Sequence, residues 1–166
     1  RITCHLLEQG RTLPGFIGDI SYAQSNRERY EGFCQALADA GKKVDSSLCL
    51  TTPLGIDTYR EEIDTFLSSL SRMPDAFVCA SDYVACILMQ LLEKRGLRVP
   101  EDVAVSGFDN NTEDLLAEHL TTVQVFNEEL GARLALQILY RIKYPNTPHE
   151  ITYLGTNVLS SDSNGD

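Results

Sequence analysis

Short apolar runs alternate along this chain with longer stretches whose apolar residues recur three and four apart. Phe16-Ile17-Gly18, Phe77-Val78-Cys79-Ala80 and Val103-Ala104-Val105-Ser106 are apolar without alternation, which predicts strands buried on both faces. Residues 83–95 predict a helix that Gly96 stops, with Lys94 and Arg95 at the negative end of its dipole. A second helix is expected from about residue 25 to 40, with Tyr30, Phe33, Leu37 and Ala40 on one stripe and Gly41 as its stop. Ser25 is its expected cap, with Glu28 at capping-box spacing. A third helix is expected from Asp57 or Thr58 to Leu70, burying Ile63, Phe66, Leu67 and Leu70.

The flanks are less regular. Residues 2–8 before Gly10 predict a helix with no cap in front of it, so upstream sequence is expected. Residues 44–50 predict a weaker strand, and residues 122–126 another. Residues 127–143 predict a helix with Leu130, Leu134, Ile138 and Ile142 on one face. A turn at 145–148 leads to a strand-like stretch, 151–159, broken at Gly155, and residues 160–166 form a small, polar tail expected to fray.

Strand and helix in regular alternation imply an α/β fold: an open parallel sheet with helices on both faces. Its strands run out into polar pairs, Ser81-Asp82 and Asp109-Asn110. In open α/β sheets ligands bind at these carboxyl ends.

Composition narrows the chemistry. The chain has 166 residues, 43% hydrophobic and 23% charged, and a formal charge of -10. That charge argues against direct nucleic-acid binding, which needs clustered Lys and Arg to meet phosphates. No apolar run reaches the roughly 18 residues of a membrane span, and residues 1–5 lack a signal-peptide core. The five cysteines, Cys4, Cys34, Cys49, Cys79 and Cys86, form no CxxC pair and are expected as reduced core thiols of a cytoplasmic protein. Catalysis finds no support: GxSxG, P-loop, GxGxxG and HExxH patterns are absent, and His5, His119 and His149 are scattered. No cofactor or metal is expected.

Several motifs stand in order: Gly15-Phe16-Ile17-Gly18, Arg29-Tyr30-Glu31-Gly32-Phe33, Ser81-Asp82, the run Gly96-Leu97-Arg98-Val99-Pro100-Glu101-Asp102-Val103, Gly107-Phe108-Asp109, and Leu120-Thr121-Thr122-Val123. This order resembles the lactose-repressor (LacI) family of bacterial transcription regulators. The resemblance implies a periplasmic-binding-protein-like (type I) fold of two lobes holding an effector, commonly a sugar, between them. Residues 13–122 and 156–163 would form the C-terminal lobe, and residues 1–10 and 125–154 fragments of the N-terminal lobe. It further implies a homodimer and operator DNA bound through an N-terminal headpiece that this sequence does not contain. The helix after Asp82, through Val84, Ile87, Leu88 and Leu91, would serve either the dimer or the lobe's own core, and the loop at 110–119 would lie near the partner. An extracytoplasmic sugar-binding protein of a transporter or chemoreceptor is the alternative reading, and an α/β enzyme a third.

Arg29 is the first candidate for effector contact, since its planar fork suits vicinal hydroxyls and the family's Arg-x-x-Gly-[Phe/Trp] arginine touches the effector. Asp109 is the second: a carboxylate can accept two hydroxyl hydrogen bonds, and the family's Gly-[Phe/Tyr]-Asp is used so. Ser81 stands where many members carry Asn, which shortens its reach and points to a different ligand; Asp82 is the expected helix cap. Ser25, Tyr22, Asp57 and Tyr59 are candidates for lining the cleft, with an aromatic ring stacking on a sugar face. Phe126 falls at the crossover between lobes, as cleft wall or core. Ser160-Ser161 replaces an arginine common in the family, so a tail-anchoring ion pair is expected to be missing.

Overall fold

The computed structural model describes residues 1–55, 57–110 and 120–160. Residues 111–119 and 161–166, and with them the expected partner-facing loop and most of the tail, lie outside the described residues.

The element order is α1 (Ile2–Glu8), β1 (Pro14–Ile17), α2 (Gln24–Asp39), β2 (Cys49–Leu50), α3 (Tyr59–Ser69), β3 (Ala76–Cys79), α4 (Asp82–Lys94), β4 (Ala104–Ser106), β5 (Thr122–Gln124), α5 (Asn127–Lys143) and β6 (Asn157–Leu159). Four strands form one parallel sheet in the order β2-β1-β3-β4. Bridges Ser106 to Thr121 and Asp109 to Gln124 run parallel too, so the chain at 121–124 lies beside the end of β4. β5 also pairs antiparallel with β6, a separate two-stranded ribbon that departs from the parallel pattern.

Both faces of the sheet are covered, each by its own core. On one side Phe77, Leu88, Leu92, Ile63 and Val105 pack together beneath α3 and α4. On the other Phe16, Phe33, Leu37 and Val78 pack with Ile2 and Leu6. The Phe16 ring stands edge-on to Tyr30 at 5.1 Å, the geometry aromatic quadrupoles favour. Because Ile2 and Leu6 are 8% and 1% exposed within this core, residues 1–10 pack on the sheet itself; the expectation that they stand apart in another lobe is corrected. Val84, Ile87, Leu88 and Leu91 are buried in the sheet's core, which settles their role in favour of packing.

Local chemistry explains the remaining differences. The strand expected at 44–50 is reduced to Cys49–Leu50 because Asp45 Oδ1 accepts from Ser47 N (3.0 Å) and turns Ser46–Leu48 into a 3-10 segment. Helix α2 starts at Gln24 behind Ala23 with no side-chain cap, so Ser25 is inside the helix and does not cap it. Gly96, at φ +75°, ends α4 in the left-handed conformation that glycine adopts without strain. Only Asn157–Leu159 of the stretch 151–159 is strand. Among the cysteines, Cys79 and Cys86 are buried, Cys34 and Cys49 half-buried, and Cys4, expected in the core, is exposed; none of the five is in a disulfide. Helix α5 buries none of its residues: Leu134 is 57% and Ile142 72% exposed.

Candidate functional site

The segments that follow β3 and β4 meet at Arg29, which α2 carries one turn beyond its start. Its guanidinium donates to the carbonyl of Ala80, at the end of β3, and to Asn26 Oδ1 at 3.5 Å. One face of the guanidinium lies over the Phe108 ring, 3.7 Å from its centroid, a cation–π geometry. Nη2 stands 3.5 Å from Asp109 Oδ1. Burial pulls the Arg29 pKa below its ordinary value, against the opposing pull of Asp109 and Asp82. The group is therefore held rigid, part-buried and charged.

Asp109 occupies an unusual backbone position, with φ at +108° followed by Asn110 at +54°. Its N–H donates to Val123 O (3.0 Å), and Gly107 N donates to Thr121 O (2.9 Å), so the segment 107–109 is zipped to 121–123. Non-glycine residues in this conformation persist where their surroundings over-determine them. Burial raises the Asp109 pKa, Arg29 opposes this and Asp82 adds to it. At 47% exposure its carboxylate still presents acceptor sites outward.

Behind these residues lies Asp82, 2% exposed, whose Oδ1 accepts from Thr122 Oγ1 at 2.6 Å. A β-carbon on Gly107 would meet Asp82 Oδ1 at 2.1 Å, so the absence of a side chain there is what lets the carboxylate lie against β4's end. The cap of α4 is Ser81, whose Oγ accepts from Val84 N at 3.4 Å. The cap expected of Asp82 is thus supplied by Ser81, while Asp82 ties the start of α4 to β5. Ser81 keeps its hydroxyl proton for donation.

The other candidates divide. Ser25 lines, with Arg29, Thr3, Phe33 and Phe108, a concave pocket of about 330 Å³. Asp57 is exposed and lines a different recess of about 400 Å³ with Tyr59, Arg60, Tyr83 and Gln90. Tyr22 is 72% exposed, and Tyr59 is half-buried with its ring 5.9 Å from Tyr83 in edge geometry. Burial, followed by the nearby charges of Asp19, Tyr22 and Tyr83, raises the Tyr59 pKa. Phe126, 41% exposed at the start of α5, is no core residue. Three residues escaped sequence reasoning: Phe108, Tyr83 and Asp19. Phe108 sits inside a motif already singled out, and Asp19-Ile20-Ser21 carries the spacing of a side-chain-stabilised turn, as the bonds from Ser21 N and Oγ to Asp19 Oδ1 bear out. Among the described residues no cluster of His, Cys, Asp or Glu could hold a metal ion, and no helix is long and apolar enough to cross a membrane.

The carboxyl edge of the parallel sheet, where ligands bind in open α/β folds, carries a stacked arginine beside a half-exposed carboxylate. The chain belongs to the periplasmic binding protein-like domain family, whose pattern matches residues 3–163. It is 35% identical over 130 residues to the HTH-type transcriptional regulator DegA of Bacillus subtilis, covering 77% of this chain and 38% of that protein. Among solved structures it resembles a transcriptional regulator of LacI family from Sanguibacter keddieii (TM-score 0.83, 26% identity, 99% of this chain and 62% of that one). It also resembles the transcriptional regulator CelR in complex with cellobiose (TM-score 0.82, 28% identity, 95% of this chain and 48% of that one). The chain spans less than half the length of the curated relatives it matches.

Proposed function

We propose that this chain is the effector-binding part of a LacI-type transcription regulator and that its effector is a sugar or sugar derivative. The observation that carries the reading is the Arg29–Phe108–Asp109 group: a guanidinium fixed by stacking, beside a carboxylate with acceptor sites turned outward. Such a pair sets N–H donors beside carboxylate acceptors, the complement of a hydroxyl-rich ligand. Ser25 lines the recess that holds Arg29 and Asp57 the one beside Tyr83, and this reading adds Ser81, Tyr22 and Phe126 as further effector contacts. The resemblance to a cellobiose-bound regulator supports the ligand class, and the regulators among its relatives favour this reading over a transport protein.

In this reading residues 13–122 and 156–163 form one lobe, and 125–154 belongs to a second that closes over the ligand. Ligand binding shifts the population between open and closed lobes, and a headpiece elsewhere in the full-length protein, in a cytoplasmic homodimer, changes its affinity for operator DNA. A ligand acts only by its differential affinity for the two states, commonly about 1–3 kcal/mol of coupling. The test is a thermal-shift screen of the full-length protein against neutral sugars and sugar phosphates. A stabilising hit supports the reading; stabilisation by none of them contradicts it.

A further inference from the structure

Asp19 and Asp82 are the two carboxylates buried below a tenth of their exposure among the described residues, and only Asp82 is close enough to Arg29 to influence its charge. Asp19, 6% exposed, lies at the end of β1 and makes no ion pair among the described residues. Neutral donors hold it. Oδ1 accepts from Ser21 N (2.7 Å), Ser21 Oγ (2.6 Å) and Tyr22 N (3.0 Å), all on its own loop. Oδ2 instead accepts from Leu54 N at 3.3 Å, on the loop after β2.

The two oxygens therefore have different tasks. A turn of this type needs a single acceptor, which asparagine or serine supplies without the cost of burying a charge. The second oxygen reaches across to a loop 35 residues away. Its backbone joins in: Ile20 N donates to Thr51 O (3.4 Å), and Asn26 Nδ2 donates to the Asp19 carbonyl (3.0 Å). Asn26 in turn accepts from Arg29. One loop carries Tyr22 and leads to Arg29; the other leads to Asp57 and Tyr59.

We propose that Asp19 is a positioning residue for the ligand site: it locks the loop after β1 to the loop after β2 and so fixes Tyr22 and Arg29 relative to Asp57 and Tyr59. The ligand-affinity half of this inference rests on the effector reading above; the loop-locking half does not. Hydrogen bonds from Ser21, Tyr22 and Leu54 outweigh burial and keep the carboxylate pKa below its ordinary value, so the lock stays charged at neutral pH.

Asp19→Asn separates the two tasks, because its amide keeps one oxygen for the local turn and sets an NH₂ group against Leu54 N–H. The experiment is amide hydrogen exchange of the full-length protein, with binding of cellobiose, ribose and glucose 6-phosphate measured alongside. In Asp19→Asn the Leu54 amide is expected to exchange at least about tenfold faster, with the Ser21 and Tyr22 amides unchanged; Asp19→Ala frees all three. Whichever probe binds the wild type is expected to bind Asp19→Asn about tenfold more weakly, a difference of about 1.4 kcal/mol. Unchanged Leu54 exchange, or faster exchange with unchanged affinity, overturns the proposal. If no probe binds the wild type, the effector reading fails, and Leu54 exchange alone still decides the loop lock. Should Asp19→Asn not fold, the wild type answers by NMR: the Ser21 and Leu54 amide resonances are expected to titrate with one midpoint below the ordinary aspartate value, and independent midpoints overturn the lock.

Discussion

The hydroxyl of Thr122 donates to Oδ1 of Asp82 at 2.6 Å, joining the first residue of β5 to the first residue of α4 across 40 positions of sequence. Thr122 Oγ1 also accepts from Asn110 N at 3.4 Å, so one buried hydroxyl ties the ends of β3, β4 and β5 together directly behind Arg29 and Asp109. Thr122→Val keeps the shape and removes the donor. A buried carboxylate that loses such a donor costs about 1–3 kcal/mol. The midpoint of thermal unfolding should fall by roughly 2–4 °C per kcal/mol for a chain of this size.

The same joint makes Gly107 intolerant of a side chain. Gly107→Ala would place a β-carbon 2.1 Å from Asp82 Oδ1 and 2.8 Å from Leu120 Cδ2. Overpacking of this kind costs about 1–3 kcal/mol, and here the strain falls on the residues that orient Asp109. Denaturant unfolding should show the loss, with sugar affinity falling as well.

Acid should weaken the site earlier than it weakens an ordinary aspartate. The Asp109 pKa stands above 3.8 because burial dominates, with Asp82 adding to it against Arg29. A carboxyl whose folded pKa is raised favours the folded state as pH falls through that value, so fold stability gains from this group on acidification. Ligand affinity moves the opposite way, because protonation removes acceptors. Titrating sugar binding downward from neutral pH should show a decline that begins above pH 3.8 and is absent in Asp109→Asn, whose affinity is low throughout.

Helix α5 predicts self-association. Leu130, Leu134, Ile138 and Ile142 lie on one face at 47%, 57%, 52% and 72% exposure, and contiguous apolar patches of this sort seek partners. Sedimentation velocity of the 166-residue chain should show concentration-dependent association that Leu134→Glu with Ile138→Glu abolishes. A monomeric wild-type chain across the concentration range would contradict this.

What was legible in the sequence is what local chemistry decides. Apolar runs around Phe16, Phe77 and Val105 became the three longer strands of the sheet, and the glycine stops at Gly41 and Gly96 ended their helices. The convergence of Arg29 and Asp109 followed from strand ends and from a family motif, and the two residues do meet. What stayed hidden depends on partners far away in sequence. Nothing local told Asp82 from Ser81 as the cap, since Thr122, which engages Asp82, comes 40 residues later. Helix α2 begins behind Ala23, whose carbonyl accepts from the Asn26 and Arg27 amides, so Ser25 stands inside the helix. The place of α1 depended on whether Ile2 and Leu6 meet Phe16 and Phe33, a packing fact with no local signature.

Calorimetric titration of the full-length protein with the best hit of a sugar screen decides whether Arg29 and Asp109 grip a sugar. Saturable one-site binding is expected, which Arg29→Ala and Asp109→Ala each weaken by more than about tenfold, about 1.4 kcal/mol. Arg29→Lys should fall short of wild type, because lysine keeps the charge and loses the planar fork stacked on Phe108. Wild-type affinity in Arg29→Ala and Asp109→Ala, with the fold intact by circular dichroism, would contradict that grip.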